Sequence, residues 1–181
     1  MKKINKSRFA ILGMLFEKPR SGYEIRQFML SSTNHFWQES DASIYPMLKL
    51  LEKEKKVISK SEFTGKRERK IFEITQTGKD ELLTWMIQPA EEENNRNELL
   101  LKIFLGAAVP KEETIKQLVI YQQKALDTKK RYKKVENEIF SEGPSKHQHK
   151  LFWTMSLRYG ILHNEAELKW LTECFEILKK G

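Results

Sequence analysis

Helical periods interrupted by one short pair of alternating segments predict a mainly α fold in two parts: a winged helix-turn-helix with a small β-hairpin wing, then an all-helical dimerisation half. The first part is assigned to residues 1–88 and the second to residues 97–181. Between them, residues 89–96 include an acidic, polar stretch without periodicity, which reads as a linker.

Residues 9–16 are apolar on every side at helical length, which marks a short helix buried in a small core. Pro19 ends it. Ser21 and Glu24 have the spacing of a capping box, in which the Ser oxygen accepts an orphan N–H and the Glu reaches back. Ile25, Phe28 and Met29 follow on one face of a second helix, which runs out into the polar loop 31–34. A third helix is expected to start near Ser43, with Pro46 in its first turn, where a missing N–H costs nothing. Ile44, Leu48 and Leu51 form its inward face, and Tyr45, Lys49, Glu52, Lys53 and Lys56 point the other way. Residues 57–64 and 70–74 read as the strands of a hairpin about the basic turn 65–69. Thr77 and Asp80 are spaced to cap a fourth helix carrying Leu82, Leu83, Trp85 and Met86, which stops before Pro89.

The second half is helical. Residues 96–108 carry Leu99, Leu100, Ile103 and Phe104. Pro110 opens a long helix to about Phe140, along which Leu118, Tyr121, Ala125, Thr128, Tyr132, Val135 and Ile139 recur at steps of three and four, a heptad seam. Ala125 and Thr128 are small, so the packing there must be close. Gly143 and Pro144 turn the chain into a last helix over about 145–178. That helix carries two apolar faces: Leu157, Ile161, Leu168, Leu171, Phe175 and Leu178 on one, and Met155, Tyr159, Leu162, Ala166, Cys174 and Ile177 on the other. The neighbouring helix can cover one face; the other needs a second chain or the N-terminal half. A symmetric homodimer is therefore expected, with Leu118, Tyr121, Ala125, Tyr132, Leu157, Ile161, Leu168 and Leu171 as its contact residues.

The chain has 33 Lys and Arg against 25 Asp and Glu, a net charge of +8. Residues 1–90 hold 17 basic and 11 acidic side chains, and residues 91–181 hold 16 and 14, so the surplus sits mostly in the first half. A basic half suits a polyanionic partner, because neutralising phosphates releases condensed counterions. A solvated basic surface explains the charge equally well, so charge alone does not decide between them. One cysteine, Cys174, excludes an intramolecular disulfide and fits a reducing, cytoplasmic setting. Its neighbours make it a small core residue rather than a reactive thiol. No apolar stretch reaches the ~18–20 residues that span a bilayer, and no membrane partner is expected.

The sharpest constellation is the third helix with its basic wing. A helix fits the major groove of B-DNA with its N-terminal residues nearest the base edges. Ser43, Tyr45, Lys49 and Lys53 stand where such contacts fall, and Lys66, Arg67 and Arg69 on the hairpin suit backbone or a neighbouring groove. Double-stranded DNA is the expected partner.

At this point the sequence resembles the PadR-type regulators. The resemblance is carried by Ala10-Ile11-Leu12-Gly13-Met14-Leu15, by Ser21-Gly22-Tyr23-Glu24-Ile25, and by Trp37 followed by Ala42-Ser43-Ile44-Tyr45-Pro46. It continues through residues 48–52, the wing at 65–72, and Thr75-Gln76-Thr77-Gly78 leading to Leu83 and Trp85. Residues 97–104 and the two long helices resemble the larger C-terminal domain of the branch related to virulence activators. The resemblance implies a dimer on an inverted-repeat operator, usually a repressor, with Ser43, Tyr45, Pro46 and Lys49 near the DNA and Lys66, Arg67 and Arg69 on the wing, and in some members release from DNA by phenolic acids or hydrophobic drugs. Three positions depart from the pattern. Ala42 stands where Gly is common, Glu68 interrupts the basic wing, and Lys55 replaces the Gly that usually closes the recognition helix. The last predicts a blunted helix end or a strained Lys55.

Phe152, Trp153 and Tyr159 are candidates to line a pocket for a small aromatic or hydrophobic effector, against the plainer reading of helix packing. His147 with His149, and His163 with Glu167, lack the ligand set of a zinc site, so no metal or cofactor is expected. No phosphate loop, nucleophile elbow or acid–base cluster is present in the sequence, which argues against an enzyme. The competing class is a protein-interaction module in which the basic face is incidental.

Overall fold

The computed structural model describes residues 5–33, 36–64, 67–91, 96–141 and 147–180; of 64, 67, 138–141, 147 and 148 it describes the backbone alone. The described residues fall into two compact units, 1–92 and 93–181. The predicted turn at Gly65 and Lys66, most of the acidic stretch 91–95, and Gly143 and Pro144 lie outside the described residues.

In the first unit the elements run α1 (Ser7–Phe16), β1 (Arg20–Ser21), α2 (Gly22–Ser32), α3 (Asp41–Lys53), β2 (Val57–Thr64), β3 (Arg67–Ile74) and α4 (Gln76–Met86). Helix α1 packs into the core by one side, Phe9, Ile11, Leu12 and Leu15, while Gly13 and Phe16 are exposed, so it is not buried all round as its apolar pattern predicts. Ile11, Leu12 and Leu15 are fully buried beside Ile25 of α2, Ile44, Leu48 and Leu51 of α3, and Val57, Phe72 and Leu82. Phe9 adds a face-to-face stack on Trp85 of α4, with centroids 4.5 Å apart.

The sheet has three strands in the order β1-β3-β2, one more than the predicted hairpin. Arg20 pairs with Phe72 and Ser21 with Ile71. Two residues leave no period to read, so β1 was invisible in the sequence. Arg20 is nonetheless buried: its guanidinium lies 4.5 Å over the Phe28 ring, donates to the Met14 carbonyl, and meets Glu17 at 2.9 Å. These contacts close α1 onto α2, replacing the water the charge gives up.

Three local expectations change. The helix α3 begins at Asp41, so Pro46 sits in its second turn and leaves the Ala42 carbonyl without an N–H partner in the helix. The cap of α4 is Thr75, whose Oγ1 accepts from the Gly78 N–H at 3.2 Å, while Thr77 lies inside the helix. Gly78 is required by close approach, since a Cβ there would overlap the Lys56 carbonyl oxygen. At the end of α3, Lys55 has φ of +56°. Lys55 N bonds Glu52 O at 3.0 Å and Lys56 N bonds Leu51 O at 2.8 Å, the paired bonds of a Schellman motif. The helix end is therefore sharp, and Lys55 bears the strain that a glycine would avoid.

In the second unit, α5 (Glu98–Phe104) and a 3-10 turn (Gly106–Ala108) lead into α6 (Lys111–Ser141) and α7 (His147–Lys180). The heptad seam of α6 packs on α7 of the same chain. Leu118, Ala125 and Leu171 are buried together, with Tyr121, Leu168, Trp170, Cys174, Phe175 and Leu178 around them. Asn164, buried on α7, donates to the Ala125 carbonyl at 3.1 Å, an approach that the small Ala125 permits.

Of the expected dimer contacts, Leu118, Ala125, Tyr132, Leu157 and Leu171 are buried and Tyr121, Ile161 and Leu168 half-buried within one chain, so this seam is covered largely by the chain itself. A helix hairpin satisfies its own seam first, because the partner is covalently held beside it. The face of α7 left open is the other one: Met155, Tyr159, Leu162 and Ile177 are exposed, as are Leu151 and Phe152. Cys174, placed on that open face from the sequence, packs instead on the covered side.

Candidate nucleic-acid interface

The recognition-type helix α3 is set by its two ends and its buried side. Ser40, extended at the N-cap, donates its backbone N–H to the Ser43 Oγ at 3.0 Å, and Asp41 faces the positive end of the helix dipole. Ile44, Met47, Leu48 and Leu51 are buried, which turns the opposite side of the helix outward. On that side Tyr45, Lys49 and Lys53 recur every four residues and form one exposed stripe. Lys49 and Lys53 make no ion pair among the described residues, so both charges are unspent. Pro46 is exposed beside the stripe, whereas the Ser43 hydroxyl is engaged by the cap, donating in turn to the Ser40 carbonyl at 3.0 Å.

Tyr45 is positioned by a glycine on another element. A Cβ at Gly22, the first residue of α2, would come within 2.6 Å of the Tyr45 ring. The phenol thus rests against bare backbone at the start of α2. Two residues on, Glu24 performs two tasks: it completes the capping box by accepting from the Ser21 N–H at 2.8 Å, and it pairs with Arg69 of β3. Arg69 also donates to the Ser21 Oγ at 3.2 Å. The Arg69 guanidinium, then the Ser21 N–H, hold the Glu24 carboxyl down at a pKa of about 2.

The wing is tied to α3 by a second pair. Lys70 meets Glu52 at 2.8 Å, and Ser59 of β2 donates to the same carboxylate. Lys70 and Ser59 keep Glu52 below the ordinary carboxylate range. The register runs from Val57 opposite Ile74 to Thr64 opposite Arg67. Lys66 lies outside the described residues, and of Arg67 only the backbone is described. Of the three predicted wing cations, Arg69 is therefore the one with a defined side chain, and it is paired with Glu24. The contact of Gly22 with Tyr45 and the pairing of Glu24 with Arg69 were not legible, because the partners are 23 and 45 residues away and leave no local spacing.

At the other end of this unit, Arg8 bridges Glu54 and Glu81, each at 2.6 Å, and Lys56 meets Glu81 at 3.0 Å. Burial opposes the Glu81 charge, but Lys56 and Arg8 outweigh it and lower its pKa. This cluster locks the turn after α3 onto α1 and α4.

In the second unit Phe152 and Tyr159, seven residues apart on α7, stand exposed on one face with Met155. Trp153 is turned aside, its ring 5.7 Å from that of His149, so one chain does not wrap the three predicted effector residues. Among the described residues no three His, Cys, Asp or Glu gather as a metal site, and no helix is long and apolar enough to cross a membrane.

Residues 11–84 match the family model described as transcriptional regulator PadR-like family, and residues 95–179 match virulence activator alpha C-term. The chain is 33% identical over 109 residues to the negative transcriptional regulator PadR of Bacillus subtilis (strain 168), a match spanning 59% of this chain and 59% of that protein. The fold is similar to that of Bacillus subtilis PadR in complex with operator DNA, with a TM-score of 0.83 and 22% identity over 96% of this chain and 99% of that one. It is also similar to the same regulator in complex with p-coumaric acid, with a TM-score of 0.76 and 20% identity over 97% and 99% of the two chains.

Proposed function

This chain belongs to the PadR-like family of transcriptional regulators, with a virulence-activator type of C-terminal part, and on that premise we propose that it binds operator DNA as a homodimer. The observation that carries the reading is the stripe of Tyr45, Lys49 and Lys53 along the exposed side of α3. Its two lysine charges are unspent, on a helix whose other side is sealed in the core. A phenol and two ammonium groups spaced one turn apart suit base edges and phosphates in a major groove. Ser43 and Pro46 border the stripe, and Lys66 and Arg67 at the wing supply further backbone contacts. Arg69 contributes mainly by holding the wing, since its charge is engaged by Glu24.

In this reading residues 1–88 bind DNA, 89–96 link, and 97–181 dimerise in the cytoplasm. Two copies then present their α3 helices to the halves of an inverted repeat, and the protein acts as a repressor. The open face of α7 is the surface that meets the second copy. Phe152 and Tyr159 on that face, with Trp153 beside it, become a site for a small aromatic or hydrophobic effector once the copies close over them.

The test is an electrophoretic shift on the DNA upstream of its own gene, followed by footprinting. Wild type is expected to protect a two-fold symmetric site, and Tyr45→Ala or Lys49→Ala to weaken binding by about 1–3 kcal/mol each. A wild-type chain that shifts none of this DNA at low salt favours the protein-interaction alternative.

A further inference from the structure

Helix α6 carries the run Lys129-Lys130-Arg131-Tyr132-Lys133-Lys134, five cations in six residues, in a half of the chain whose net charge is only +2. Tyr132 is buried, so the helix turns that one residue inward and the other five outward, and all five are exposed. Burial also raises the Tyr132 pKa, which keeps the phenol neutral and anchored. At 100° per residue, Lys129, Lys133, Lys130 and Lys134 fall in order across one broad outer face.

The face stands out by its density of charge. Elsewhere in this half Lys102, Lys116 and Lys179 each meet a glutamate one turn away at 2.7 Å, and Lys111, Arg158 and Lys169, which have no such pair among the described residues, are far apart in the chain. Lys129 and Lys133 meet no acid among the described residues, Lys130 has only Asp127 at 3.4 Å, and Arg131 donates to the Thr128 hydroxyl at 2.8 Å. Lys129 and Lys133, like charges at i,i+4, work against the isolated helix. A surface that accepts such repulsion gains most from an external polyanion.

We propose that this outer face of α6 is a second DNA-backbone contact surface, separate from the winged helix and indifferent to sequence. The proposal rests on the DNA-binding reading for its choice of polyanion. A membrane surface fits less well, because the one apolar residue within the cationic run, Tyr132, is turned inward, and the exposed Val119, Ile120 and Leu126 of α6 all lie before the run. Lysines one turn apart on flexible arms meet the phosphate backbone as point charges, whatever the bases.

The test uses the full chain and the triple variant Lys129→Gln/Lys130→Gln/Lys133→Gln, in which glutamine preserves helix propensity and length. Binding is measured against salt on the upstream DNA and on an unrelated duplex of equal length, with circular dichroism to confirm the fold. Relative to wild type, the variant is expected to bind both duplexes at least tenfold more weakly near ~0.1 M salt and to flatten the log–log salt slope by about two to three per chain. Its preference for the upstream DNA should be unchanged. Equal affinity and slope for variant and wild type would overturn the proposal. Tyr45→Ala/Lys49→Ala separates the two readings: it should abolish the preference and keep the salt-sensitive, α6-dependent binding. If wild type itself has no preference but the triple variant still loses binding, the operator reading fails and the α6 surface stands. Failure of wild type to bind any duplex removes both, as does α6-dependent binding found only on anionic phosphatidylglycerol vesicles.

Discussion

Single side chains carry more of this protein than their types suggest. Lys55 holds φ of +56° because the chain must reverse between α3 and β2, and a lysine in that region pays for its Cβ against the following carbonyl. Lys55→Gly is expected to raise stability by about 1 kcal/mol, read as a higher denaturant midpoint with an unchanged slope. Glu24 is the second case. Its pKa falls from an ordinary 4.5 to about 2 in the folded chain, so its stabilising contribution is complete above 4.5 and is lost as the pH falls towards 2. The variant Glu24→Gln should be less stable than wild type at neutral pH and should flatten stability against pH across that window. An unchanged acid limb in the variant would show that the Arg69 pair adds nothing to the fold.

At the scale of elements, α2 is more than the scaffold helix of the motif. Its first turn seats Tyr45 on Gly22 and the wing on Glu24, so two surfaces from distant elements are referenced to one turn. Gly22→Ala is expected to fold, since the clash is with an exposed ring that can swing away. Its Tyr45 is then misplaced, and operator binding should fall about as far as in Tyr45→Ala, ~1–3 kcal/mol, without loss of thermal stability. Wild-type affinity in this variant would separate the phenol's position from binding. The element boundaries most readable in advance were those written locally. The capping box of Ser21 and Glu24 is present, and the inward residues Ile44, Leu48 and Leu51 are all buried. The start of α3 and the cap of α4 were displaced by two residues because several Ser and Thr competed for each cap.

For the whole molecule, the division of apolar surface between the chain and its proposed second copy is the deciding feature. Leu171 is sealed inside the helix hairpin, whereas Met155 is 62% exposed on the other side of the same helix. Leu171→Ala should therefore cost about 2–5 kcal/mol in unfolding of the C-terminal unit. Met155→Glu should leave the fold intact by circular dichroism and shift sedimentation from dimer to monomer. A Met155→Glu protein that stays dimeric would move the interface elsewhere, and a wild-type monomer at micromolar concentration would remove it. The likeness to known regulators covers both halves, since the PadR-like model matches residues 11–84 and the virulence activator model residues 95–179.

The sequence by itself determined the order and type of the main helices and of the hairpin strands, the mainly α class, the outward stripe on α3 and the trouble at Lys55. Each of these follows from a period, a cap or a backbone preference acting over a few residues. Tertiary structure alone decided that β1 joins the sheet, that Arg69 answers to Glu24, and that the seam of α6 is spent within its own chain. A helical period announces that a face must be covered but is silent on what covers it. Pairings across tens of residues depend on how whole elements pack, and no local spacing records them.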